Sequence, residues 1–416
     1  MTAAGPRIAD FRIDGARLTA RLDALAQVGA IEGGGCCRLA LTDADKAGRD
    51  LVVEWMRELG LFVRIDAIGN IFGIRAGRED GPPVMTGSHI DTVRTGGRYD
   101  GNYGVLAGLE VVRVLNAAEI LTRRPLAVAV FTNEEGARFA PDMMGSLVHA
   151  GGLSLAEALA ARGIDGAVLG DELARIGYVG DMPVGTIRPR AFVELHIEQG
   201  PVLDAEGVTL GAVDSLQGIS WQELTIEGQS NHAGTTPLRL RRDAGFAAAA
   251  IALFLRELAQ RMGGNQLATV GRVELVPNII NVIAQRATMT VDLRNTDADA
   301  LREAERRLAA FTADLARAEK VEIRARRLAR FDPVVFDAGI AARIERVAGR
   351  LGHSIRRMTS GAGHDAQMMA RLCPAAMIFA PSVGGLSHNV REFTRPEDLA
   401  AGADVLLHTL LELAEE

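Results

Sequence analysis

Five side chains that can bind a metal ion each lie close to the end of an apolar, strand-like segment or in the glycine-rich loop after one. They are His89, Asp100, Glu135, His196 and His388. In open α/β sheets the ligand crevice lies outside the carboxyl ends of the strands, so residues far apart in sequence can meet there. Imidazoles and carboxylates without a thiolate suit zinc, manganese, cobalt or nickel. The sequence therefore predicts a metal site at one edge of a sheet.

Two aspartates near the first histidine have separate predicted roles. In GSHIDTV, His89 and Asp91 flank one residue, so on an extended segment they point to the same side. Asp91 is therefore expected to hold the imidazole of His89 in position. Asp100, in GGRYDGNYGV, offers two oxygens among glycines that let the backbone approach a cation. We predict that Asp100 bridges two ions.

Glu134 and Glu135 follow the apolar run LAVAVFTN and would repel each other unless their tasks differ. Neighbouring side chains at a strand end point to opposite sides, so one glutamate can bind metal while the other faces the attacking water. We assign Glu135 to the metal and Glu134 to proton transfer. A solvated acidic turn is the alternative, which the preceding apolar run disfavours.

The two later histidines have polar or flexible surroundings. A lone strand histidine is more often a satisfied core residue than a ligand. His196, however, has the polar neighbours Glu194, Glu198 and Gln199 at a strand end. His388 follows a strand and a Gly-Gly turn. Both positions favour a ligand.

A histidine and an arginine in the next part of the chain are candidates for substrate contact. His232, in GQSNHAGTTP, lies at a strand-to-helix junction. We predict that it stabilises the oxygen that becomes negative when a carbonyl is attacked. Arg294, at the end of TMTVDLR, offers a fork that matches a substrate carboxylate. A surface ion pair with Asp292 is the alternative for Arg294.

A glycine-rich turn, SGAGHDAQ, precedes a predicted helix over residues 364–372. Backbone N–H groups at a helix start can hold an anion. The candidate contacts of a substrate carboxylate in this turn are Gly361, Ala362, Gly363 and His364. Capping by local polar groups is an equally compatible alternative.

The chain of 416 residues is long enough for two domains. Strands and helices alternate before residue 214 and again after about residue 330, which indicates parallel βαβ units. The order between them is β-α-β-β-α-β, typical of a ferredoxin-like module. We predict an α/β chain with a discontinuous catalytic domain, residues 1–213 and 329–416, and an inserted α+β domain, residues 214–328.

Composition excludes several classes of partner. A net charge of −7 argues against binding to nucleic acid or to an anionic membrane. No apolar stretch approaches the roughly 20 residues that span a bilayer. The three cysteines provide no disulfide framework, and MTAAGPRIADFRIDG lacks the pattern of a signal peptide. We therefore expect a cytoplasmic location.

Nine motifs in order resemble those of the amidase, hydantoinase/carbamoylase family in the dinuclear-metal aminoacylase and carboxypeptidase superfamily. They are GSHIDTV, GGRYDGNYGV, FTNEEGARF, ELHIEQGP, SNHAGTTP, PNIINV, DLR, SGAGHDA and GGLSHNVRE. The resemblance covers nearly the whole chain, as far as PEDLAAGADVLLHTLLEL. One such motif would be weak evidence, but nine in the same order are specific.

The resemblance implies two divalent ions per subunit in a peptidase-like domain. One ion is surrounded by His89, Asp100 and His196, and the other by Asp100, Glu135 and His388. Glu134 is implied as the general base. Zinc is the expected ion, and manganese, cobalt and nickel stay open.

The resemblance also implies that the inserted domain is a lid through which two subunits form a homodimer. His232, Asn281 and Arg294 would lie on this lid and reach into the active site of the other subunit. Gln199 would contact substrate groups on the metal side.

The implied reaction is hydrolysis of the ureido C–N bond of an N-carbamoyl-L-amino acid, or of N-carbamoyl-β-alanine, to the amino acid, CO2 and ammonia. An allantoate amidohydrolase, or another hydrolase of small ureido or amide compounds, would use identical chemistry. A metal-binding homologue without turnover is a third alternative. Glu134 beside Glu135 weighs against it, because such a protein needs no base.

Overall fold

A computed structural model of the chain describes residues 11–416. Their contacts divide the chain into two compact units. The first comprises the described residues up to Asp214 together with Phe336–Glu416, and the second comprises Ser215–Val335. The predicted boundary at residue 328 falls inside a strand that pairs with its neighbour as far as Phe331. The second unit therefore ends later than predicted.

The elements are numbered along the chain. The strands are β1 (Phe62–Ile65), β2 (Ile71–Arg75), β3 (Val84–His89), β4 (Leu126–Phe131), β5 (Ala191–Ile197), β6 (Leu210–Leu216), β7 (Gly218–Glu227), β8 (Leu267–Val276), β9 (Arg286–Asn295), β10 (Glu322–Phe331), β11 (Val334–Val335), β12 (Ile355–Ser360) and β13 (Ala375–Ala380). The helices are α1 (Gly15–Ala26), α2 (Asp43–Glu58), α3 (Asn102–Ala117), α4 (Met144–His149), α5 (Leu155–Leu159), α6 (Leu169–Arg175), α7 (Val202–Glu206), α8 (Ala244–Met262), α9 (Ala298–Glu319), α10 (Ala338–Leu351), α11 (Asp365–Met369) and α12 (Pro396–Ala414).

A mixed sheet forms the centre of the first unit. Its strands follow in the order β1-β2-β4-β3-β5-β13-β6, and β12 pairs with β6. The four central strands β4, β3, β5 and β13 run parallel to one another. Strand β2 pairs antiparallel with β4, and β6 pairs antiparallel with β13. The predicted parallel βαβ core is confirmed, with antiparallel strands added on both sides.

The central strands are buried along their whole length. Strands buried on both faces are expected to be almost continuously apolar. Helix α3 packs closely against them, since a Cβ on Gly104 would lie 2.4 Å from the backbone oxygen of Leu195. The polar side chains that could bind metal or transfer protons therefore lie at the carboxyl ends of these strands.

Local signals account for the elements that precede this core. The side chain of Thr42 accepts a hydrogen bond from the N–H of Asp45 and caps α2. Strands β1 and β2 form an antiparallel pair, and Gly69 at their turn has a φ of 85° that favours glycine. The predicted helix over residues 364–372 is shorter, because α11 ends at Met369.

The second unit contains a four-stranded antiparallel sheet in the order β10-β7-β9-β8. Helices α8 and α9 supply apolar side chains to one core with this sheet, including Leu224, Ile251, Met289 and Leu308. The chain order β7-α8-β8-β9-α9-β10 is the predicted ferredoxin-like pattern. No helix over residues 11–416 combines the length and the apolar character that crossing a membrane requires.

Candidate metal centre

The order of the central strands brings the five predicted ligands to one edge of the sheet. His89 is the last residue of β3, and His196 lies near the end of β5. Glu135 and His388 lie in the loops after β4 and β13, and Asp100 precedes α3. Because these parallel strands are neighbours, their carboxyl ends form a single crevice.

The first group of ligand atoms surrounds one oxygen of Asp100. Oδ1 lies 3.2 Å from Nε2 of His196 and 3.6 Å from Nε2 of His89. All three side chains are buried, and one ligand atom of each lies within 4.8 Å of the others. This is the set that the resemblance implies for one ion.

The second group surrounds the other oxygen of Asp100. Oδ2 lies 3.3 Å from Nε2 of His388, which is itself 3.2 Å from Oε2 of Glu135. The ligand atoms of these three residues also lie within 4.8 Å of one another. Since each oxygen of Asp100 faces a different group, the geometry suits a carboxylate that bridges two ions.

The histidines present the nitrogen that a metal needs. Nδ1 of His89 lies 2.9 Å from the backbone oxygen of Asp91, and Nδ1 of His196 lies 2.9 Å from that of Ile197. A carbonyl oxygen only accepts, so Nδ1 carries a proton in each ring and Nε2 is the metal-binding atom. The buried Nε2 of His89 has no hydrogen-bond partner among residues 11–416. A Cβ on Gly101 would lie 2.4 Å from this atom, so glycine leaves it accessible. The residues present fit two divalent ions.

Asp91 supports the site differently from the prediction. Its carboxylate accepts hydrogen bonds from the N–H groups of Glu134 at 3.2 Å and Glu135 at 3.3 Å. The same carboxylate is 3.9 Å from Nδ1 of His89, which contacts the backbone oxygen of Asp91 instead. The prediction that the side chain of Asp91 holds the imidazole is therefore corrected. The backbone oxygen of Asp91 holds the imidazole of His89, and the carboxylate of Asp91 orients the two glutamates.

Glu134 is buried beside the first group, with Oε2 at 3.3 Å from Nε2 of His89. Burial raises the pKa of Glu134 well above its usual value, although the charge of His89 opposes this shift. A carboxylate with a raised pKa can accept a proton and retain it near neutral pH. Its position and its pKa both suit the predicted proton transfer.

Neighbouring carboxylates raise the pKa values of all three ligand histidines and favour protons on them in the metal-free protein. Hydrogen bonds to Asp100 and Glu135 raise the pKa of His388 to about 10. Burial lowers the pKa of His89, but the nearby carboxylates of Glu134 and Asp100 outweigh it, and the net shift is upward. Metal ions must displace these protons, because an imidazole binds a metal in its neutral form.

We therefore expect metal binding to release protons near pH 8. His388 is protonated below its pKa of about 10. The apparent affinity of its ion should rise with pH, by about tenfold per unit between roughly pH 7 and 9, because one proton leaves that ring. Calorimetric titration of the metal-free protein with Zn²⁺, in buffers of different ionisation enthalpy, measures the release. A binding heat that is identical in all buffers would contradict it.

Gln199 lies beside the second group. Its Nε2 donates to Oδ2 of Asp100 at 2.9 Å and lies 3.5 Å from Nε2 of His388. The residue has a φ of 57°, which is unusual for a residue other than glycine. Contact with substrate stays a prediction for Gln199, but its side chain also steadies the predicted bridge.

His232 and Asn281 belong to the second unit. Nδ1 of His232 accepts hydrogen bonds from the N–H groups of Gly234 at 3.0 Å and Thr235 at 3.3 Å. In the neutral ring Nε2 then carries the proton and can donate it to an oxyanion. The N–H of Ala233 donates to the backbone oxygen of Asn281, so the two segments lie side by side.

Arg294 lies in β9 and forms an ion pair with Asp292. Its Nε and Nη2 lie 3.0 and 2.8 Å from Oδ2 of Asp292. This ion pair is the predicted alternative to a substrate contact, and it is present. A substrate contact stays a prediction, for which Asp292 would orient the guanidinium.

The glycine-rich turn before α11 places His364 inside the protein. This histidine is buried and packs against His196, with ring centroids 4.5 Å apart. Burial and the charge of His196 lower the pKa of His364 well below its usual value. The hydroxyl of Ser360 accepts from the N–H of Ala362 at 3.1 Å, which is local capping of the predicted kind. These contacts show that His364 packs against His196, and its contact with substrate stays a prediction.

Two buried carboxylates beside the site received no predicted role. Glu194 accepts from the hydroxyl of Ser88 at 2.6 Å and from the N–H of Ala366 at 2.7 Å, and so joins β3 to α11. Glu392 accepts from the N–H of Asp100 at 3.2 Å. Two features of the sequence could have indicated these residues. Glu194 lies two positions before His196, and Glu392 is the last residue of GGLSHNVRE.

Comparison with known proteins agrees with this geometry. The model of the peptidase family M20/M25/M40 matches residues 85–412. An N-carbamoyl-L-amino-acid amidohydrolase of Rhizobium meliloti is 42% identical over 405 residues, covering 97% of each chain. An allantoate amidohydrolase of Bacillus subtilis (strain 168) is 34% identical over 400 residues, covering 95% of this chain and 97% of the relative.

A solved structure supports the same grouping. The amidase of the hydantoinase/carbamoylase family from Burkholderia multivorans has a TM-score of 0.93 and 46% identity, covering 97% of this chain and 99% of that one. The nine motifs, the shared Asp100 and these similarities agree. The chain therefore belongs to the peptidase family M20/M25/M40, within its hydantoinase/carbamoylase amidases, and is a hydrolase of carbon–nitrogen bonds other than peptide bonds.

Proposed function

We propose that the chain hydrolyses N-carbamoyl-L-amino acids at the ureido C–N bond and releases the amino acid, CO2 and ammonia. The observation that carries this proposal is the pair of ligand groups that share Asp100 beside the buried Glu134. Its similarity to the Rhizobium meliloti enzyme supports the choice of a carbamoyl substrate. Zinc is the proposed ion, and manganese, cobalt or nickel suit the same ligands.

The residues of the chain divide the work around the scissile carbonyl. His89, Asp100 and His196 would hold one ion, and Asp100, Glu135 and His388 the other. When bound, such ions polarise a carbonyl and lower the pKa of water. Glu134 takes a proton from the attacking water and delivers it to the leaving nitrogen. His232 donates from Nε2 to the oxygen that becomes negative.

The substrate carboxylate needs an anchor of its own, because a small flexible molecule must be oriented against the reacting groups. We propose Arg294 for this role, with Asn281 and the backbone of Gly361, Ala362 and Gly363. In the proposed homodimer Asn281 and Arg294, which belong to the lid, serve the partner subunit's site. A cytoplasmic location stays a prediction.

A comparison of an N-carbamoyl-L-amino acid with its carboxamide analogue tests the proposal. Wild type is expected to prefer the acid strongly, and Arg294→Ala to erase the preference. Arg294→Lys keeps the charge but loses the fork, which costs roughly 1.5–3 kcal/mol, or about ten- to over a hundredfold in kcat/KM. Turnover is measured with added Zn²⁺, Mn²⁺ or Co²⁺. Equal wild-type rates on acid and carboxamide would exclude the anchor.

Allantoate is the second candidate substrate, because the Bacillus subtilis relative is named an allantoate amidohydrolase. It also combines ureido groups with a carboxylate, so the same residues would act on it. Including allantoate in the substrate panel separates the two candidates through their kcat/KM values. An absence of turnover on every ureido and amide compound, with both ions bound, would favour the metal-binding homologue.

A further inference from the structure

Glu392 connects two ligand segments that are far apart in sequence. Its Oε1 accepts hydrogen bonds from the N–H groups of Tyr99 at 3.0 Å and Asp100 at 3.2 Å. Its Oε2 accepts from the hydroxyl of Ser387 at 2.8 Å. Ser387 directly precedes His388. One buried carboxylate thus joins the backbone of the shared aspartate to the loop that carries the last histidine.

The loop at His388 depends on such a connection more than the other ligand segments do. The side chain of His388 is 51% exposed, whereas those of His89 and His196 are each 1% exposed within the sheet edge. His388 also has a φ of 52°, in the left-handed region that is unfavourable for a residue other than glycine. Contacts made by the residues next to His388 are therefore needed to hold this loop in position.

The protein leaves room for Glu392 at a specific glycine. A Cβ on Gly97 would lie 2.0 Å from Oε1 of Glu392 and 2.2 Å from its Cδ. The φ of Gly97 is outside the left-handed region, so its backbone does not itself require glycine. The close approach of Glu392 is therefore a physical reason for glycine at this position, in the motif that delivers Asp100.

On the metal assignment proposed above, we propose that Glu392 is a positioning residue that sets the distance between His388 and the carboxylate of Asp100. The ion held by Asp100, Glu135 and His388 depends on this distance. The ion held by His89, Asp100 and His196 depends on it far less, because the sheet edge holds both of those histidines. Glu392 thereby controls the affinity of one ion of the pair.

Removal of the side chain in Glu392→Ala tests the proposal through metal binding. The metal-free protein is titrated with Zn²⁺ against a competing chelator, and both stepwise constants are measured. We expect the smaller of the two association constants, which we assign to the ion at Asp100, Glu135 and the exposed His388, to fall by about 10- to 100-fold, the usual effect of losing a group that supports a ligand. The tighter constant should change by no more than about twofold.

The conservative variant Glu392→Gln is expected to retain nearly the wild-type constants. Its Oε1 still accepts from both N–H groups, and its amide can donate to the hydroxyl of Ser387. Glu397→Ala, on the exposed first turn of α12, is the matched control and should change neither constant. Equal weakening in the Gln and Ala variants would overturn the proposal, because it would indicate an effect of charge and not of position.

Two further variants keep the proposal testable if Glu392→Ala folds poorly. Gly97→Ala should weaken the same ion, because its methyl group displaces the carboxylate of Glu392. In a His388→Ala background, Glu392→Ala should alter the remaining ion by no more than about twofold. Equal weakening of both ions, or of neither, would overturn the positioning role. Fewer than two ions in wild type would instead overturn the metal assignment.

Discussion

Glu134→Gln is expected to abolish most turnover while both ions stay bound. The substitution keeps the shape of the side chain but removes the group that accepts a proton from water. Loss of a general base typically costs about 10²- to 10⁴-fold. Burial also raises the pKa of Glu134, and an amide cannot reproduce that property. The rate on an N-carbamoyl-L-amino acid and the metal content of the same sample check the expectation.

Glu135→Gln is the matched control because it changes the adjacent residue in the same way. Oε2 of Glu135 lies 3.2 Å from Nε2 of His388, so this variant should lose one ion. Metal loss from Glu134→Gln, with both ions retained in Glu135→Gln, would show that the two roles are reversed. The N–H groups of both glutamates bind Asp91, so neither substitution removes the contact that orients the turn.

Asp100→Ala is expected to deplete both ions together and with them the activity. Its two oxygens face separate ligand groups, at 3.2 Å from His196 and 3.3 Å from His388. Removing both oxygens leaves each group with two ligands. It also removes the negative charge that lies beside the histidines of both groups. Elemental analysis after dialysis measures the loss. Two ions per chain in this variant would exclude the bridge.

His388→Ala provides the comparison for that result. His388 contacts Oδ2 of Asp100 and Glu135 but belongs to one group alone. One ion should therefore be lost from His388→Ala and two from Asp100→Ala. The thermal unfolding midpoint of each metal-free variant shows whether it still folds, and so separates loss of metal from loss of fold. This control matters most for Asp100, because Asp100 is buried whereas His388 is exposed.

Much of the site was predictable because its chemistry is encoded within short segments. An apolar run that ends in a polar residue indicates a buried strand whose carboxyl end carries a ligand, and this pattern identified His89 and Glu135. The adjacency of Glu134 and Glu135 predicted a division of tasks from strand geometry alone. The alternation of strands and helices predicted the fold class and the inserted module, which the structure confirms.

The short helices were not predictable from periodicity. Helices α4, α5, α6 and α7 each contain seven residues or fewer, which is too short to display a helical repeat of apolar positions. Packing against neighbouring elements, rather than a local pattern, decides whether such segments become helical.

The sequence by itself determined the fold class and the types of candidate ligand, and it predicted a base, because strand period and side-chain chemistry are local properties. Tertiary structure decided which atoms meet. The order β4-β3-β5-β13 places both oxygens of Asp100 between two ligand groups. Tertiary structure also placed Glu392 against the N–H of Asp100, whereas the ion pair of Arg294 with Asp292 is local to β9. The contact between Glu392 and Asp100 joins residues 292 positions apart, and its distance depends on the packing of the elements between them.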